Sequence, residues 1–153
     1  MDGLYTIPRY SKLIGEYSYP SVDEVANKIA EKFSWTISPA EDYALNLTGL
    51  STQVPNEYTY VSDGPYRTYD YRVKQITFKH TSNRFIKEHS TSFAILIQAI
   101  KTLGRKNITN NDVKKMAKYY KKHISTNRES HENKLPIWII EVLKNIKESK
   151  EHT

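Results

Sequence analysis

Apolar residues recur along this chain with two different periods, and the first helical stretch is the clearest. Ser21 and Glu24 form an S-x-x-E capping box, in which each side chain bonds the backbone amide of the other residue at a helix start. The apolar residues that follow have helical spacing and predict one buried stripe: Val22, Val25, Ala26, Ile29, Ala30 and Phe33. The pattern therefore predicts an amphipathic helix that begins after Ser21.

A short strand and a second helix are predicted next. Trp35 to Ile37 alternates like a strand. Ser38 then has the features of an N-cap, with Pro39 in the first helical position and Glu41 completing a second box. This helix is predicted to end at Gly49, which favours the left-handed conformation of a helix stop.

Three further helices are predicted in the second half of the chain. Apolar residues at helical spacing run from Phe93 to Leu103 and are followed by Gly104 as the stop. Residues 110–123 are predicted to form a helix with Thr109 as its N-cap. Its predicted buried side consists of Val113, Met116, Ala117, Tyr120 and Ile124, and its predicted exposed side of Lys114, Lys118, Lys121 and Lys122. The last helix begins after Pro136. All three patterns predict one buried face each.

Between residues 57 and 79 the pattern changes to that of strands. Aromatic and β-branched residues dominate Glu57 to Val61, Tyr66 to Tyr71 and Gln75 to Lys79. The turn Asp63-Gly64-Pro65 and a second connection near Arg72 join them, so the segments predict an antiparallel meander. The Asp63 side chain is expected to bond the backbone of its own turn.

These elements predict an α+β fold, with a small antiparallel sheet of about three to four strands packed with four to five helices. The alternating strand and helix order of a parallel nucleotide-binding sheet is absent. Residues 1–20 are predicted to hold a short strand at 4–7 and an irregular lead-in at 8–20, and residues 21–124 the main domain. A linker at 125–134 is predicted to precede a C-terminal helix with a frayed tail at 135–153.

The composition excludes several classes of protein. The 153 residues include no cysteine, which excludes a disulfide scaffold, a zinc finger, a thiol nucleophile and an iron–sulfur cluster. The longest apolar run, Phe93 to Ile97, is far shorter than the roughly 20 residues that span a bilayer, and the chain opens without a signal peptide pattern. We therefore expect a cytoplasmic protein that does not bind a membrane.

The net charge of +6 comes entirely from residues 105–124. This segment contains seven basic residues and a single acidic one, Asp112. In the rest of the chain, the charges of 16 basic and 16 acidic residues cancel. The seven are Arg105, Lys106, Lys114, Lys115, Lys118, Lys121 and Lys122. Two interpretations stay open: a ridge that contacts the phosphates of DNA or RNA or an acidic surface of a partner protein, or a solvated helix face that only keeps the protein soluble.

The sequence predicts no catalytic site, metal site or cofactor. No two histidines have the i, i+4 spacing of a helical zinc site, and no glycine-rich phosphate loop or hydrolase elbow occurs. For a metal-dependent nuclease, the carboxylates to consider near the strands are Glu57, Asp63 and Asp70. We expect a protein that is not an enzyme.

Several linked segments carry a family resemblance. In order along the chain they are YSKLIG at 10–15, ALNLTGLSTQVP at 44–55, YVSDGPY at 60–66, ITFKH at 76–80 and IQAIKTLG at 97–104. Over about residues 3–110 the chain resembles the AbiEi-like antitoxins of bacterial type IV toxin–antitoxin systems, which act in abortive infection and phage defence. The residues of the family motif are Asn46, Gly49, Leu50, Ser51, Thr52, Gln53, Asp63, Gly64, Tyr66 and Gln98.

The resemblance implies a non-enzymatic antitoxin that opposes a nucleotidyltransferase-like toxin, without a need for direct contact. Such antitoxins also repress their own promoter through an N-terminal winged helix-turn-helix domain. Gly3-Leu4-Tyr5 resembles the strand that closes the wing of that domain, which would place the recognition helix upstream of this sequence. The alternative function is that of a DNA-binding transcriptional regulator, or a fragment of one, acting on its own operon.

The motif residues also have a structural interpretation. Gly49 is expected to stop a helix, Leu45 and Leu50 to join the core, and Asn46 or Gln53 to bond backbone groups.

Overall fold

The computed structural model describes residues 9–11, 16–81, 91–124 and 135–149, and it confirms the predicted α+β class. The strands of this part are β1 (Arg9–Ser11), β2 (Glu16–Ser18), β3 (Ile37–Ala40), β4 (Glu57–Ser62), β5 (Arg67–Tyr71) and β6 (Lys74–His80). Its helices are α1 (Val22–Phe33), α2 (Glu41–Leu47), α3 (Thr91–Leu103), α4 (Asn110–His123) and α5 (Ile137–Glu148), with a 3₁₀ turn at Arg105–Asn107. In the described ranges, every helix is too short or too polar to cross a membrane.

The main sheet has the strand order β3-β4-β6-β5 and is mixed, which corrects the predicted antiparallel meander. β4 and β6 run parallel, with Tyr60 opposite Phe78, whereas β3 with β4 and β5 with β6 are antiparallel. The chain passes from β4 to the outer strand β5 and returns through a tight hairpin at Arg72. Strand β6 thereby enters between β4 and β5.

Burial explains why β6 rather than β5 is the inner strand. Ile76, Thr77 and Phe78 of β6 are completely buried, whereas Arg67 and Thr68 of β5 are exposed. An inner strand is covered on both edges, so the more apolar segment takes that position and the more polar one takes the edge.

A two-stranded sheet forms from β1 and β2, where the sequence predicted an irregular lead-in. The strands are antiparallel, with Arg9 opposite Ser18. The predicted strand at residues 4–7, the linker at 125–134 and the tail at 150–153 lie outside the described residues.

Helix α1 begins as predicted and covers one face of the sheet. The Glu24 amide donates to Ser21 Oγ at 3.1 Å and the Ser21 amide to Glu24 Oε1 at 3.2 Å, so both bonds of the capping box form. The prediction for Phe33 is wrong: this residue is 46% exposed and stacks on Trp35 at the end of the helix. The cluster buried between α1 and the sheet consists of Val25, Ala26, Ile29, Tyr60, Tyr71, Ile76 and Phe78.

A second hydrophobic cluster joins α2, α3, α4 and α5. Helix α3 contributes the completely buried Phe93 and Ile100, and it is followed as predicted by Gly104 with φ +83°. Helix α5 adds Ile139 and Leu143, each 1% exposed. The helical cluster therefore fixes α4 by its apolar side, against α3 and α5.

The predicted start of the second helix is wrong. Ser38 and Pro39, expected as N-cap and first helical residue, lie in β3 and pair with β4. Helix α2 begins instead at Glu41, and its N-cap Ala40 has no side chain to bond the helix. Pairing with β4 wins over the local capping signal, and Pro39 is tolerated because β3 is an edge strand that needs fewer amide donors.

Gly49 stops α2 as predicted. Its φ is +82°, the Leu50 amide donates to the Leu45 carbonyl at 2.9 Å, and the Gly49 amide donates to the Asn46 carbonyl at 3.2 Å. These two bonds form a Schellman C-cap, and both leucines pack against the helical cluster as that motif requires. The structural interpretation of Gly49, Leu45 and Leu50 is confirmed.

Two helix ends allow opposite stability predictions. Gly49→Ala is expected to lower the free energy of unfolding by about 1 kcal/mol, because a Cβ there meets no atom within 4 Å and only the left-handed backbone opposes it.

Ser34 caps α1 with φ 59°, so Ser34→Gly is expected to stabilise the protein by about 0.5 kcal/mol. Urea denaturation measures both free energies of unfolding; changes of the same sign in the two variants would contradict the conformational explanation.

Candidate nucleic-acid interface

Helix α4, which carries most of the basic residues, begins as predicted. The Asp112 amide donates to Thr109 Oγ1 and the Thr109 amide to Asp112 Oδ2, each at 3.1 Å. This capping box satisfies two amides that a helix start otherwise leaves without partners. It also places the acid of the basic segment at the helix N-terminus, where the helix dipole favours a negative charge.

The apolar side of α4 holds the helix on the core. Met116 and Ala117 are buried as predicted, and Val113 and Tyr120 are half-buried against the helical cluster. The pattern missed Tyr119, which is 8% exposed and donates its hydroxyl to the Ser92 carbonyl of α3 at 2.9 Å. Burial raises the pKa of this phenol, so it stays protonated and keeps donating.

The opposite side of α4 presents a lysine face to solvent. Its members are all exposed: Lys114, Lys115, Lys118, Lys121 and Lys122. At 3.6 residues per turn they occupy about 120° of the helix circumference, and at 1.5 Å per residue they extend over about 12 Å. The predicted exposure of Lys114, Lys118, Lys121 and Lys122 is confirmed.

Two more cations precede this lysine face. Arg105 and Lys106 are exposed on the 3₁₀ turn between α3 and α4. The Asn107 side-chain amide donates to the Leu103 carbonyl at 3.1 Å and so ties this turn to the end of α3. All seven predicted cations are therefore exposed on two successive elements.

Most residues of the family motif have structural roles in the described part of the chain. Asn46 Nδ2 donates to the Gln53 carbonyl at 2.9 Å, and Ser51 Oγ accepts from the Gln53 amide at 3.2 Å. Thr52 and Gln53 themselves are exposed. Gln98 lies half-buried on α3, where its backbone carbonyl accepts from Thr102 Oγ1 at 2.8 Å.

The Asp63-Gly64 loop fixes one end of the sheet. Asp63 Oδ1 accepts from the backbone amide of Thr36 at 2.8 Å, so the predicted bond to the backbone reaches the segment before β3. Inside the turn, the Gly64 amide donates to Ser62 Oγ at 2.9 Å. Gly64 is buried against the Trp35 ring, and its carbonyl oxygen lies 2.8 Å from His80 Nδ1. Tyr66, two residues later, is 59% exposed.

The carboxylates considered for a nuclease do not converge. Glu57 and Asp70 lie on either side of Gln75 in one row of the sheet and line an open groove of about 360 Å³. Asp63 lies at the far end of β4 and bonds Thr36. Among the described residues, no group of three histidine, aspartate or glutamate side chains is placed to hold a metal ion.

Tyr43 and Tyr60 form a pair of phenols beside Asp23, and the pKa of each is raised. Tyr60 donates its hydroxyl to Asp23 Oδ1 at 2.8 Å, and burial raises its pKa. Burial also raises the pKa of Tyr43 to about 12. Both phenols therefore stay protonated at pH 10, where a free tyrosine is half ionised.

An exposed ion pair joins β6 to α2. Lys79 Nζ lies 2.7 Å from Glu41 Oε2, and this bond raises the pKa of Lys79. Sequence reasoning missed the pair because Glu41 and Lys79 meet only through the strand order.

A family model described as "Family of unknown function (DUF6088)" matches residues 1–128, which include β1 to β6 and α1 to α4. No curated protein and no solved structure matches the chain.

Proposed function

The chain belongs to the DUF6088 family of unknown function, and we propose that it acts as a non-enzymatic, antitoxin-like protein of the cytoplasm that contacts nucleic acid through the lysine face of α4. The observation that carries this proposal is the division of α4 into a buried apolar side and a side with five exposed lysines. Because the apolar side packs on the core, the five lysines occupy fixed positions on the protein surface.

Lysine chemistry favours phosphate contact over base recognition. An ammonium group is a point charge that neutralises a phosphate and releases its counterion, whereas bidentate recognition of guanine requires the planar fork of arginine. The lysine face of α4 contains no arginine. The contact proposed here is therefore independent of nucleotide sequence and weakens with salt.

The AbiEi-like resemblance supports the biological setting. A protein that binds the nucleic acid on which a nucleotidyltransferase-like toxin acts would oppose the toxin without touching it. The two parts of the proposal make separate predictions, because nucleic-acid binding is measured with the purified chain and opposition to the toxin requires living cells.

Growth rescue tests the proposal as a whole. The chain is co-expressed with the nucleotidyltransferase-like protein encoded beside it, and we expect growth to recover. Lys114→Glu with Lys118→Glu is expected to abolish recovery, because two reversed charges at the centre of the lysine face repel phosphates. The control Lys28→Glu with Lys144→Glu alters the net charge equally at exposed lysines of α1 and α5.

Each outcome of this test has a definite meaning. Rescue by the unchanged chain and by the control, but not by the α4 variant, supports the proposal. Equal rescue by all three chains would remove the lysine face from the mechanism. Failure of the folded, unchanged chain to rescue growth would overturn the antitoxin assignment.

A further inference from the structure

A second surface with aromatic and basic side chains lies at the end of the sheet where β4 and β6 finish. It consists of Lys32, Phe33, Trp35, Arg67 and His80, named here the sheet-end cluster. None of these residues belongs to α4 or to the 3₁₀ turn before it.

An aromatic pair forms the centre of the sheet-end cluster. The Phe33 and Trp35 rings stack with centroids 4.9 Å apart and an interplanar angle of 23°. Trp35 is held from beneath by Phe78, which it meets edge-on at 5.5 Å, and by the backbone of Gly64. Phe33 is therefore an exposed ring on a rigid support.

Basic side chains lie near this pair, on the side of the sheet that carries Phe78. Lys32 Nζ lies 5.5 Å from the Phe33 ring centroid. Arg67 pairs with Phe78 in the sheet, and His80 contacts the carbonyl of Gly64, which itself packs on Trp35. The nearby acid Asp63 is occupied with the Thr36 amide.

We propose that the sheet-end cluster binds single-stranded nucleic acid by stacking a base on Phe33, with Lys32, Arg67 and His80 holding the adjoining phosphates. Aromatic rings beside cations are the recurring arrangement for unpaired bases, because every base offers a π-face and every linkage a charge. A duplex keeps its bases stacked on one another and cannot use this ring. The proposal goes beyond the function assigned to α4, which concerns phosphates alone, and it does not depend on it.

Fluorescence of Trp35 tests the proposal directly. The chain has two tryptophans, so Trp138→Phe leaves Trp35 as the reporter. Oligothymidylate is expected to quench this fluorescence and to bind about tenfold more tightly than an abasic oligonucleotide of equal length and charge. Oligouridylate is the second probe, and the tighter binding of one of the two oligonucleotides shows whether RNA or DNA supplies the bases.

Variants separate stacking from charge. Phe33→Ala and Phe33→Leu are expected to remove the preference for the base-bearing strand and to leave the abasic affinity unchanged. Tyr19→Ala is the matched control, because this ring is 44% exposed and its centroid lies 3.8 Å from Cζ of Arg72, in the hairpin at the opposite end of β6 from His80. Lys114→Glu with Lys118→Glu is expected to weaken the binding of both oligonucleotides by the same factor. The effect of the lysine face can therefore be separated from that of the sheet-end cluster.

Three results would overturn the stacking proposal. The first is equal affinity for base-bearing and abasic strands, and the second is a base preference that survives in Phe33→Ala. The third is a concentration-dependent dimer in sedimentation that Phe33→Ala abolishes, since the exposed ring would then serve self-association.

Discussion

Neutralising Lys114, Lys118, Lys121 and Lys122 together to glutamine is expected to lower the affinity for nucleic acid about a hundredfold at low salt. Each phosphate contact on a duplex contributes about 0.9 to the magnitude of the slope of log affinity against log salt, so the loss of four contacts should lower that magnitude by about 3.6. The four side chains are exposed and glutamine has nearly the helix propensity of lysine, so circular dichroism should be unchanged. Fluorescence anisotropy with a labelled duplex over a salt series measures both quantities.

The same measurement compares the affinities for duplexes of different nucleotide sequence. Equal affinity for a random duplex and for the promoter of the chain's own operon is expected, because lysine contacts to phosphates carry no base information. A strong preference for the promoter would favour the alternative of a transcriptional regulator. A salt slope that stays the same after the four substitutions would show that the phosphates bind elsewhere on the chain.

The lysine face could be predicted because every signal that forms it is local. Thr109 and Asp112 are three residues apart and fix where α4 begins. Once the start is fixed, the helical period alone decides which residues share a side. The same reason explains the correct prediction of α1 from Ser21 and Glu24.

The strand order could not be predicted, because it depends on pairing between distant segments. The turn Asp63-Gly64-Pro65 is compatible with a hairpin, yet the loop packs on Trp35 and lets β6 enter between β4 and β5. The relative polarity of β5 and β6 was a usable signal for the inner strand. Ser38 misled in the same way, because its local capping pattern competed with pairing to β4.

The sheet-end cluster was missed because apolar periodicity does not say where a helix stops being covered. Phe33 continues the buried stripe of α1, but the helix ends there and the ring stacks on the neighbouring Trp35 instead. The choice between Tyr119 and Tyr120 on α4 has a related cause. Neighbouring residues differ by about 100° around a helix, and Tyr119 is the one whose hydroxyl reaches an acceptor on α3, the Ser92 carbonyl.

Gly64→Ala, in the Asp63-Gly64 loop, is expected to destabilise the protein strongly. A Cβ at this position would lie 2.3 Å from Trp35 Nε1 and 2.4 Å from Cε2, far inside van der Waals contact. The indole cannot move aside freely, because Phe33 stacks on it and Phe78 supports it. Overpacking of this kind costs about 3 kcal/mol, which corresponds to a fall in melting temperature of roughly 6–12 °C for a chain of this size.

A double-mutant cycle isolates the contact between Gly64 and Trp35. Trp35→Leu removes the ring that obstructs the new methyl group, so Gly64→Ala should cost much less in that background than in the unchanged protein. Gly49→Ala supplies the comparison with a glycine whose added Cβ meets no neighbour. Full additivity of Gly64→Ala and Trp35→Leu would mean that the methyl group acts through the loop backbone. A strong coupling would show instead that Gly64 is needed so that Trp35 can lie flat against the loop, in the position that supports the exposed ring of Phe33.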